Sequence, residues 1–174
     1  MIVVSAATHA DVPDLNKLVN SGYRGEESKK GWTSEADLLS GIRTHEDGIH
    51  SMLDNPYSTI LKAVDEEKGL IACVYLEKQG NQLYLGMLTV SPTLQGGGIG
   101  KLLLHEAEKY GKTINTASII MTVISVRTEL IEWYKRKGYV LNGKTKPFPI
   151  NDPKFGLPNQ PLEFVELEKR LDIS

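Results

Sequence analysis

The spacing of apolar residues at the start of the chain predicts a strand followed by a helix. The opening residues, MIVVSAA, are apolar and partly β-branched, which is typical of a strand. Within residues 8–24 the apolar positions recur instead at helical spacing, and either Thr8 or Asp11 is suited to cap such a helix. The apolar side of this helix consists of Val12, Leu15, Leu18, Val19 and Gly22.

The next segment predicts a polar loop at residues 25–31 and a second helix from about Ser34 to residue 48. Ser34 and Asp37 have the spacing of a capping box, which marks a helix start. A short helix or turn covers residues 49–53.

The middle of the chain changes to the period of strands. Three strand-like runs follow one another, YSTILKAVD, GLIACVYLEKQ and NQLYLGMLTV. Only short EEKG and GN turns separate them, so they predict an antiparallel meander.

The last part of the chain predicts two helices and three strands. A helix at residues 101–114 has one apolar face, and the nearly continuous apolar strand at 117–126 is typical of burial on both faces. The segment RTELIEWYKRKG is a short helix that stops at Gly138, and YVLNG and PLEFVELEKRL are further strands. This order predicts an α/β fold (α+β) with a mixed sheet and helices on both faces.

Composition narrows the class of protein without indicating an activity. The 174 residues suffice for one core, and no repeat or linker divides them, so residues 1–174 are interpreted as a single domain. A formal net charge of −2 gives no sign of nucleic-acid binding. The sequence has no signal peptide and no apolar run of membrane-spanning length, which predicts a cytoplasmic protein. The single cysteine, Cys73, lies in an apolar strand and is expected to be buried.

The segment LTVSPTLQGGGIGKLLL raises the question of a ligand, because it places glycines directly before a helix. It is not a Walker loop, since Gln95 stands where a glycine is required and Leu102 follows Lys101. It is not a Rossmann fingerprint either, since the third glycine and the later acid are missing. Backbone N–H groups at such a helix start can bind an anion. The alternative is a flexible turn that caps the helix without a ligand.

The longer pattern resembles the acyl-CoA motif of the GNAT N-acetyltransferase superfamily. Gln95, Gly98 and Gly100 match its Gln/Arg-x-x-Gly-x-Gly/Ala pattern after an apolar strand and a TVSP turn. A second segment, LIEWYKRKGYV, resembles the later YxxxGF element of that superfamily, with Tyr134 as its tyrosine and Gly138 as its glycine.

The resemblance implies acetyl-CoA as cofactor, a single-domain GNAT-like fold with a mostly antiparallel sheet, and two parallel strands, 83–90 and 117–126, that splay apart. The pantetheine arm would lie in that gap. Gly86 is expected either to mark the bulge that opens the gap or only to accommodate packing. The implied cofactor-binding residues are Leu88, Thr89, Val90, Gln95, Gly96, Gly97, Gly98, Ile99, Gly100, Lys101, Arg127 and Tyr134.

The resemblance also implies that Tyr134 protonates the leaving thiolate and that the backbone N–H of Leu88 stabilises the oxyanion. The alternative for Tyr134 is simple packing, because it has helical spacing from Leu130 and Ile131. Two departures from the superfamily pattern are visible. Arg127 stands where many relatives have asparagine, and the strand before the glycines has no acid to act as base. The candidate bases are Glu35, His45 and Glu77, or water.

The acceptor is expected to be a primary amine of a small metabolite, with a protein or peptide amine, or a non-catalytic acyl-CoA sensor, as alternatives. Trp32, Glu35 and Arg43 are the candidate substrate residues; the plainer alternative is an amphipathic helix with Trp32 in the core. The loop KPFPINDPKFGLP, with Phe148 and Phe155, could form the opposite wall of that site. The histidines show no ligand spacing, so no metal site is predicted. The sequence leaves open whether the chain forms a homodimer.

Overall fold

A seven-stranded mixed sheet organises the structure, a computed structural model that describes residues 1–23, 39–40, 45–94, 96–147, 157–158 and 163–171. The strands are β1 (Ile2–Ala6), β2 (Leu39–Ser40), β3 (Ser58–Asp65), β4 (Gly69–Gln79), β5 (Gln82–Val90), β6 (Ser118–Ile124), β7 (Val140–Pro147), β8 (Leu157–Pro158) and β9 (Glu163–Arg170). The helices are α1 (Val12–Tyr23), α2 (Glu46–Asp54), α3 (Ile99–Thr113) and α4 (Thr128–Arg136).

The large sheet has the order β1-β3-β4-β5-β6-β9-β7. Strands β5 and β6 are parallel, and all other neighbouring strands of this sheet are antiparallel. The predicted meander is confirmed as β3, β4 and β5, which pair in sequence order. The mixed sheet predicted from the sequence is therefore confirmed, and α3 is the crossover that joins its parallel strands.

Two cores lie on opposite faces of this sheet, which confirms the prediction of helices on both faces. On one face α1 and α2 pack against β3, β4 and β5 through residues such as Leu15, Ile49 and Cys73. On the other face α3 and α4 pack through residues such as Leu103, Ile131 and Leu167. The cysteine is fully buried as a free thiol, as predicted.

The second predicted helix is wrong at its centre, because residues 39–40 are not helical. They form strand β2, which pairs antiparallel with β8 in a small separate sheet. Helix α2 begins only at Glu46, where the side chain of His45 accepts a hydrogen bond from the N–H of Gly48. The helical spacing predicted for residues 39–40 was overridden by pairing with a strand more than a hundred residues away, which a local pattern cannot register. Ser34 and Asp37 lie outside the described residues.

Both predicted cap residues take part at the start of α1. Thr8 and Asp11 form a capping box around a short 3₁₀ turn at His9–Asp11, with Thr8 N 2.8 Å from an Asp11 carboxylate oxygen. The same carboxylate accepts from Lys62 Nζ at 2.9 Å, which ties the start of the helix to β3. Asp11 is therefore both a cap and an ion-pair partner. Burial alone would raise its pKa, but the Thr8 and Lys62 interactions outweigh it and lower the pKa.

We expect Asp11→Ala to destabilise the fold by about 1–2 kcal/mol at neutral pH, because it removes a helix cap and leaves Lys62 without its partner. Because the folded-state pKa of Asp11 is lowered, its contribution is present above its unfolded pKa and is lost as the pH falls through the folded value. Chemical denaturation at pH 7 and pH 3 measures this. Asp14→Ala is the matched control, since Asp14 is exposed in the first turn of α1. An equal loss in both variants would contradict the assignment.

In the part of the chain that the structure describes, no helix is long and apolar enough to cross a membrane.

Candidate active site

The sheet has a seam between its two parallel strands. Strands β5 and β6 are paired at three positions only, the last of which joins Tyr84 to Ile120. Beyond this point β5 continues to Val90 and β6 to Ile124 without further register pairs. The two strands therefore separate towards their carboxyl ends, which confirms the predicted splay and leaves a gap in the middle of the sheet.

A bulge in β5 coincides with the start of the gap. The register with β4 shifts between the pairs Tyr75–Gly86 and Cys73–Thr89, so β5 carries an extra residue there. The positive φ, +55°, belongs to Met87 and not to Gly86. The predicted bulge is thus confirmed beside Gly86, but the unusual backbone conformation falls on the next residue. Such bulges turn a strand away from its neighbour.

The glycine loop forms an open cradle at the start of α3. Gly96 and Gly98 have φ values of +92° and +83°, and a Cβ built on either would meet no atom within 4 Å. Gly98 caps α3, and the N–H of Leu102 makes a helical bond to the Gly98 carbonyl at 3.0 Å. The N–H groups before Leu102 have no acceptor within the helix. This backbone fits an anionic group such as a diphosphate.

The cradle lies next to the seam and to α4. A Cβ at Gly100 would be 3.4 Å from the Trp133 ring and 3.8 Å from Val90, so α3, α4 and β5 meet at this point. Lys101 is exposed in the first turn of α3, whereas Ile99 is buried. Thr89, at the end of β5, is buried and donates its hydroxyl to the Met87 carbonyl at 3.0 Å. The structure thus brings the start of α3, the end of β5 and α4, three elements that carry predicted cofactor residues, together at Gly100.

Helix α4 places Tyr134 in the core on the same face of the sheet. Tyr134 is 5% exposed and packs edge-on against Trp133 and Tyr139, with ring centroids 5.0 Å and 5.9 Å away. Arg127, directly before α4, is also 5% exposed. The predicted stop of α4 is confirmed, since the helix ends at Arg136 and Gly138 follows with φ +98°.

A partly buried polar cluster, which the sequence did not indicate, joins the segment after α4 to α3 and β9. The hydroxyl of Tyr139 donates to Glu108 at 3.2 Å, and Lys169 Nζ lies 3.2 Å from the same carboxylate. Lys169 also donates to the Lys137 carbonyl at 3.0 Å. Burial, followed by the charge of Glu108, raises the pKa of Tyr139 far above its usual value. Tyr139 therefore stays protonated and links the segment after α4 to α3, while the Glu108–Lys169 pair links α3 to β9.

A second polar group lies on the opposite face, the one that carries α1 and α2. Tyr75 and Glu77 on β4 share this face with Tyr84 on β5, because Glu77 and Tyr84 are register partners. The Tyr75 hydroxyl donates to Glu77, and the Tyr75 and Tyr84 rings meet edge-on at 6.4 Å. Burial and then the hydrogen bond to Glu77 raise the pKa of Tyr75 to about 12. Tyr75 is therefore a hydrogen-bond donor at neutral pH.

Strand β9, which lies next to β6 on the side away from the seam, carries two more carboxylates that already have hydrogen-bond partners. Glu166 and Glu168 on β9 oppose Thr122 and Ile120 of β6, and Asn142 donates to both of them. Hydrogen bonding from Ser118 lowers the pKa of Glu168, and this outweighs the opposite effect of its burial.

The comparison with known families decides what this architecture is. A family model described as "Acetyltransferase (GNAT) family" matches residues 16–139, which include the seam, the glycine cradle and α4. The chain belongs to the GNAT acetyltransferase family. It is therefore an acyltransferase enzyme by family, and GNAT acetyltransferases generally use acetyl-CoA.

Solved structures of GNAT acetyltransferases share this fold over nearly their whole length. The ribosomal-protein-S18-alanine N-acetyltransferase from Escherichia coli is 12% identical, with 100% of this chain and 96% of that chain covered at a TM-score of 0.74. An N-acetyltransferase from Staphylococcus aureus Mu50 is 18% identical, with 98% and 97% covered at 0.72. The spermidine/spermine N-acetyltransferase from Vibrio cholerae is 16% identical, with 98% and 95% covered at 0.67. No curated protein matches the sequence.

Several predicted site residues of this GNAT acetyltransferase lie outside the described residues, namely Trp32, Glu35, Arg43, Gln95, Phe148 and Phe155. Of the other candidate bases, His45 acts as the N-cap of α2, which gives its side chain a structural role. Glu77 lies beside the seam. Strands β2 and β8, which pair with each other, each belong to one of the two chain segments predicted to form the walls of the acceptor site. Among the described residues no cluster of histidine, cysteine or carboxylate side chains could hold a metal ion.

Proposed function

We propose that this GNAT acetyltransferase transfers an acetyl group from acetyl-CoA to a primary amine of a small molecule, by direct attack within a ternary complex. The observation that carries the proposal is the seam between β5 and β6, which opens directly beside the glycine cradle of α3. An extended arm that lies beside a strand can pair with it as an additional strand, and a helix start binds phosphates.

Bound in this way, acetyl-CoA would be held by two parts of the chain. The backbone of Gly96 to Lys101, together with Gln95, would cradle the diphosphate, and the exposed ammonium of Lys101 would add a positive charge. The pantetheine arm would lie along β5 from Leu88 to Val90. Arg127 borders the same region before α4. The thioester supplies an activated acetyl group, so the protein needs no covalent intermediate, and the buried Cys73 belongs to the core of the α1–α2 face.

The chemistry assigned to the protein has two parts. The backbone N–H of Leu88, just after the bulge, would donate to the carbonyl oxygen as negative charge develops there. The Tyr134 hydroxyl would give its proton to the leaving sulfur; a phenol has a reference pKa near 10 and a thiol one near 8.5, so this transfer is slightly uphill and is completed when CoA leaves as the thiol and Tyr134 recovers a proton from water. Tyr134 and the α1–α2 face lie on opposite sides of the sheet. The acceptor amine would therefore approach from the α1–α2 side.

Acetyl-CoA is expected to stabilise the fold, because a ligand at a hundred times its Kd adds about 2.7 kcal/mol. For a protein of this size that corresponds to a rise in Tm of roughly 5–10 °C. The measurement is thermal unfolding with and without millimolar acetyl-CoA, with ATP as the control ligand.

Free-thiol release from acetyl-CoA across a panel of amines then tests catalysis. No shift in Tm with acetyl-CoA would overturn the proposed cofactor. A shift without thiol release for any amine would favour a non-catalytic acyl-CoA sensor instead, and acetylation of a peptide alone would replace the small-molecule acceptor.

A further inference from the structure

The α1–α2 face of the seam carries a phenol placed directly over the bulge. A Cβ built on Gly86 would lie 2.9 Å from a ring carbon of Tyr84 and 3.0 Å from its hydroxyl oxygen. The Tyr84 side chain therefore runs along β5 over Gly86, towards Met87 and Leu88. Only glycine leaves room for the ring in this position. The hydroxyl is thereby delivered to the point where β5 leaves β6.

A fixed carboxylate lies beside this phenol on the next strand. Glu77 is the register partner of Tyr84, and such partners on antiparallel strands have Cβ atoms roughly 5 Å apart. Oε1 of Glu77 accepts from Tyr75 and from Asn55 Nδ2 at 3.2 Å, and Oε2 accepts from Gln79 Nε2 at 2.8 Å. The carboxylate is thus held in one orientation by strand β4 and by the residue that follows α2.

The hydrogen bonds of Glu77 leave room for a ligand. A carboxylate has about four acceptor positions, and the described residues fill three of them. Glu77 is half-buried, so a charge that reaches it is less screened than at the surface. Its partners Tyr75, Asn55 and Gln79 are all neutral donors, which leaves the negative charge uncompensated by any cation among them.

We propose that the acceptor binds as an ammonium ion between Tyr84 and Glu77, and that Glu77 takes its proton. This inference rests on the proposed function and names the acceptor site within it. It supplies the acid–base group that β5 lacks, from the neighbouring strand. Because a carboxylate next to the amine would be repelled by Glu77, the substrate class is a cationic primary amine without an adjacent carboxylate.

The proton balance follows from these positions. Glu77 accepts one proton from the ammonium ion and leaves a neutral amine whose nitrogen can bond to the acetyl carbon. As the carbon–nitrogen bond forms and the carbon–sulfur bond breaks, Tyr134 gives its proton to the sulfur. The second proton of the nitrogen leaves through water, and Tyr134 and Glu77 return to their starting states by exchange with water. One proton is released for each amide formed.

The test uses the full chain with acetyl-CoA and a pair of acceptors of similar length, 1,3-diaminopropane and β-alanine, beside the best amine from the panel. Glu77→Gln is expected to lower kcat/KM for the best amine by about tenfold and to reduce the preference for 1,3-diaminopropane over β-alanine by a similar factor. Tyr84→Phe should lower kcat/KM by roughly threefold to tenfold, because it removes one hydrogen bond to the amine. Gly86→Ala should act in the same direction by displacing the ring while keeping the phenol.

Matched controls are Glu106→Gln and Tyr110→Phe on α3, which lie on the other face of the sheet. In every variant the Tm shift with acetyl-CoA should stay unchanged, which separates loss of the acceptor site from loss of the fold or of the cofactor. If Glu77→Gln and Tyr84→Phe both turn over as fast as the wild-type protein, this inference is overturned and the proposed function still stands. An unchanged acceptor preference in Glu77→Gln would also overturn it. Absence of wild-type turnover with every amine would instead overturn the proposed function.

Discussion

Replacing Tyr134 by phenylalanine is expected to lower kcat by roughly 10²–10⁴-fold, the usual contribution of a positioned general acid. The substitution keeps the ring, which packs between Trp133 and Tyr139, and so keeps the core contacts of α4. It removes only the proton that the leaving sulfur would take. Binding of acetyl-CoA and the Tm shift that it causes should therefore remain close to wild type. Single-turnover rates and melting curves from one preparation measure both quantities.

The matched control for this variant is Tyr139→Phe, the neighbouring buried tyrosine. Its hydroxyl donates to Glu108, so its loss should cost about 1–3 kcal/mol of stability and leave the chemical step unchanged. Tyr134→Phe should therefore lower kcat without lowering stability, and Tyr139→Phe should lower stability without lowering kcat. If Tyr134→Phe instead melts early and turns over normally, Tyr134 is a packing residue.

Gly98→Asp should weaken acetyl-CoA binding by about a hundredfold, because it places a carboxylate beside the proposed diphosphate site. Gly98 has φ +83°, so any side chain is strained there, although a Cβ at this position would meet no atom within 4 Å. The strain acts on the fold in the aspartate and asparagine variants alike, whereas the charge repulsion acts on the anionic ligand and only in the aspartate variant. Isothermal titration with acetyl-CoA and with CoA at two salt concentrations measures the loss, which should shrink as salt screens the charges.

Gly98→Asn is the matched control, since asparagine has the same shape as aspartate and adopts positive φ comparably well. The comparison isolates the charge. A loss of affinity that is as large for asparagine as for aspartate would show that the glycine is needed for close approach or for the conformation of the loop. If wild type and Gly98→Asp bind acetyl-CoA with equal affinity, the diphosphate does not bind at this position.

Local patterns in the sequence predicted the elements where one period dominates. The run GLIACVYLEKQ is found as β4 without any change of bounds, because it is apolar on both faces and ends in turns. The predicted helix at residues 101–114 is present as α3, which begins two residues earlier because Gly98 caps it. The glycine cradle could also be located from sequence, since its function depends on residues adjacent in the chain.

Features that depend on distant residues could not be predicted. Strand β2 exists because β8 pairs with it, and nothing within residues 32–48 signals that partner. The pairing of Glu77 with Tyr84 follows from the short turn between Gln79 and Gln82, but the position of the Tyr84 ring over Gly86 is visible only in the folded structure. Glu77 itself was a candidate base from the sequence, whereas its neighbour Tyr84 was not. The Tyr139–Glu108–Lys169 cluster likewise joins residues of three separate elements.

The three-pair seam also has a mechanical meaning. It divides the large sheet into two plates, one of β1, β3, β4 and β5 and the other of β6, β9 and β7, joined by a short hinge at Gln82–Tyr84. Helix α3, which contacts β4, β5 and β6, straps the plates on one face. An arm lying in the gap would add rungs to this incomplete ladder and couple the plates along their length. Binding of acetyl-CoA would then also stiffen the sheet, and the enzyme would be most rigid when its donor is bound.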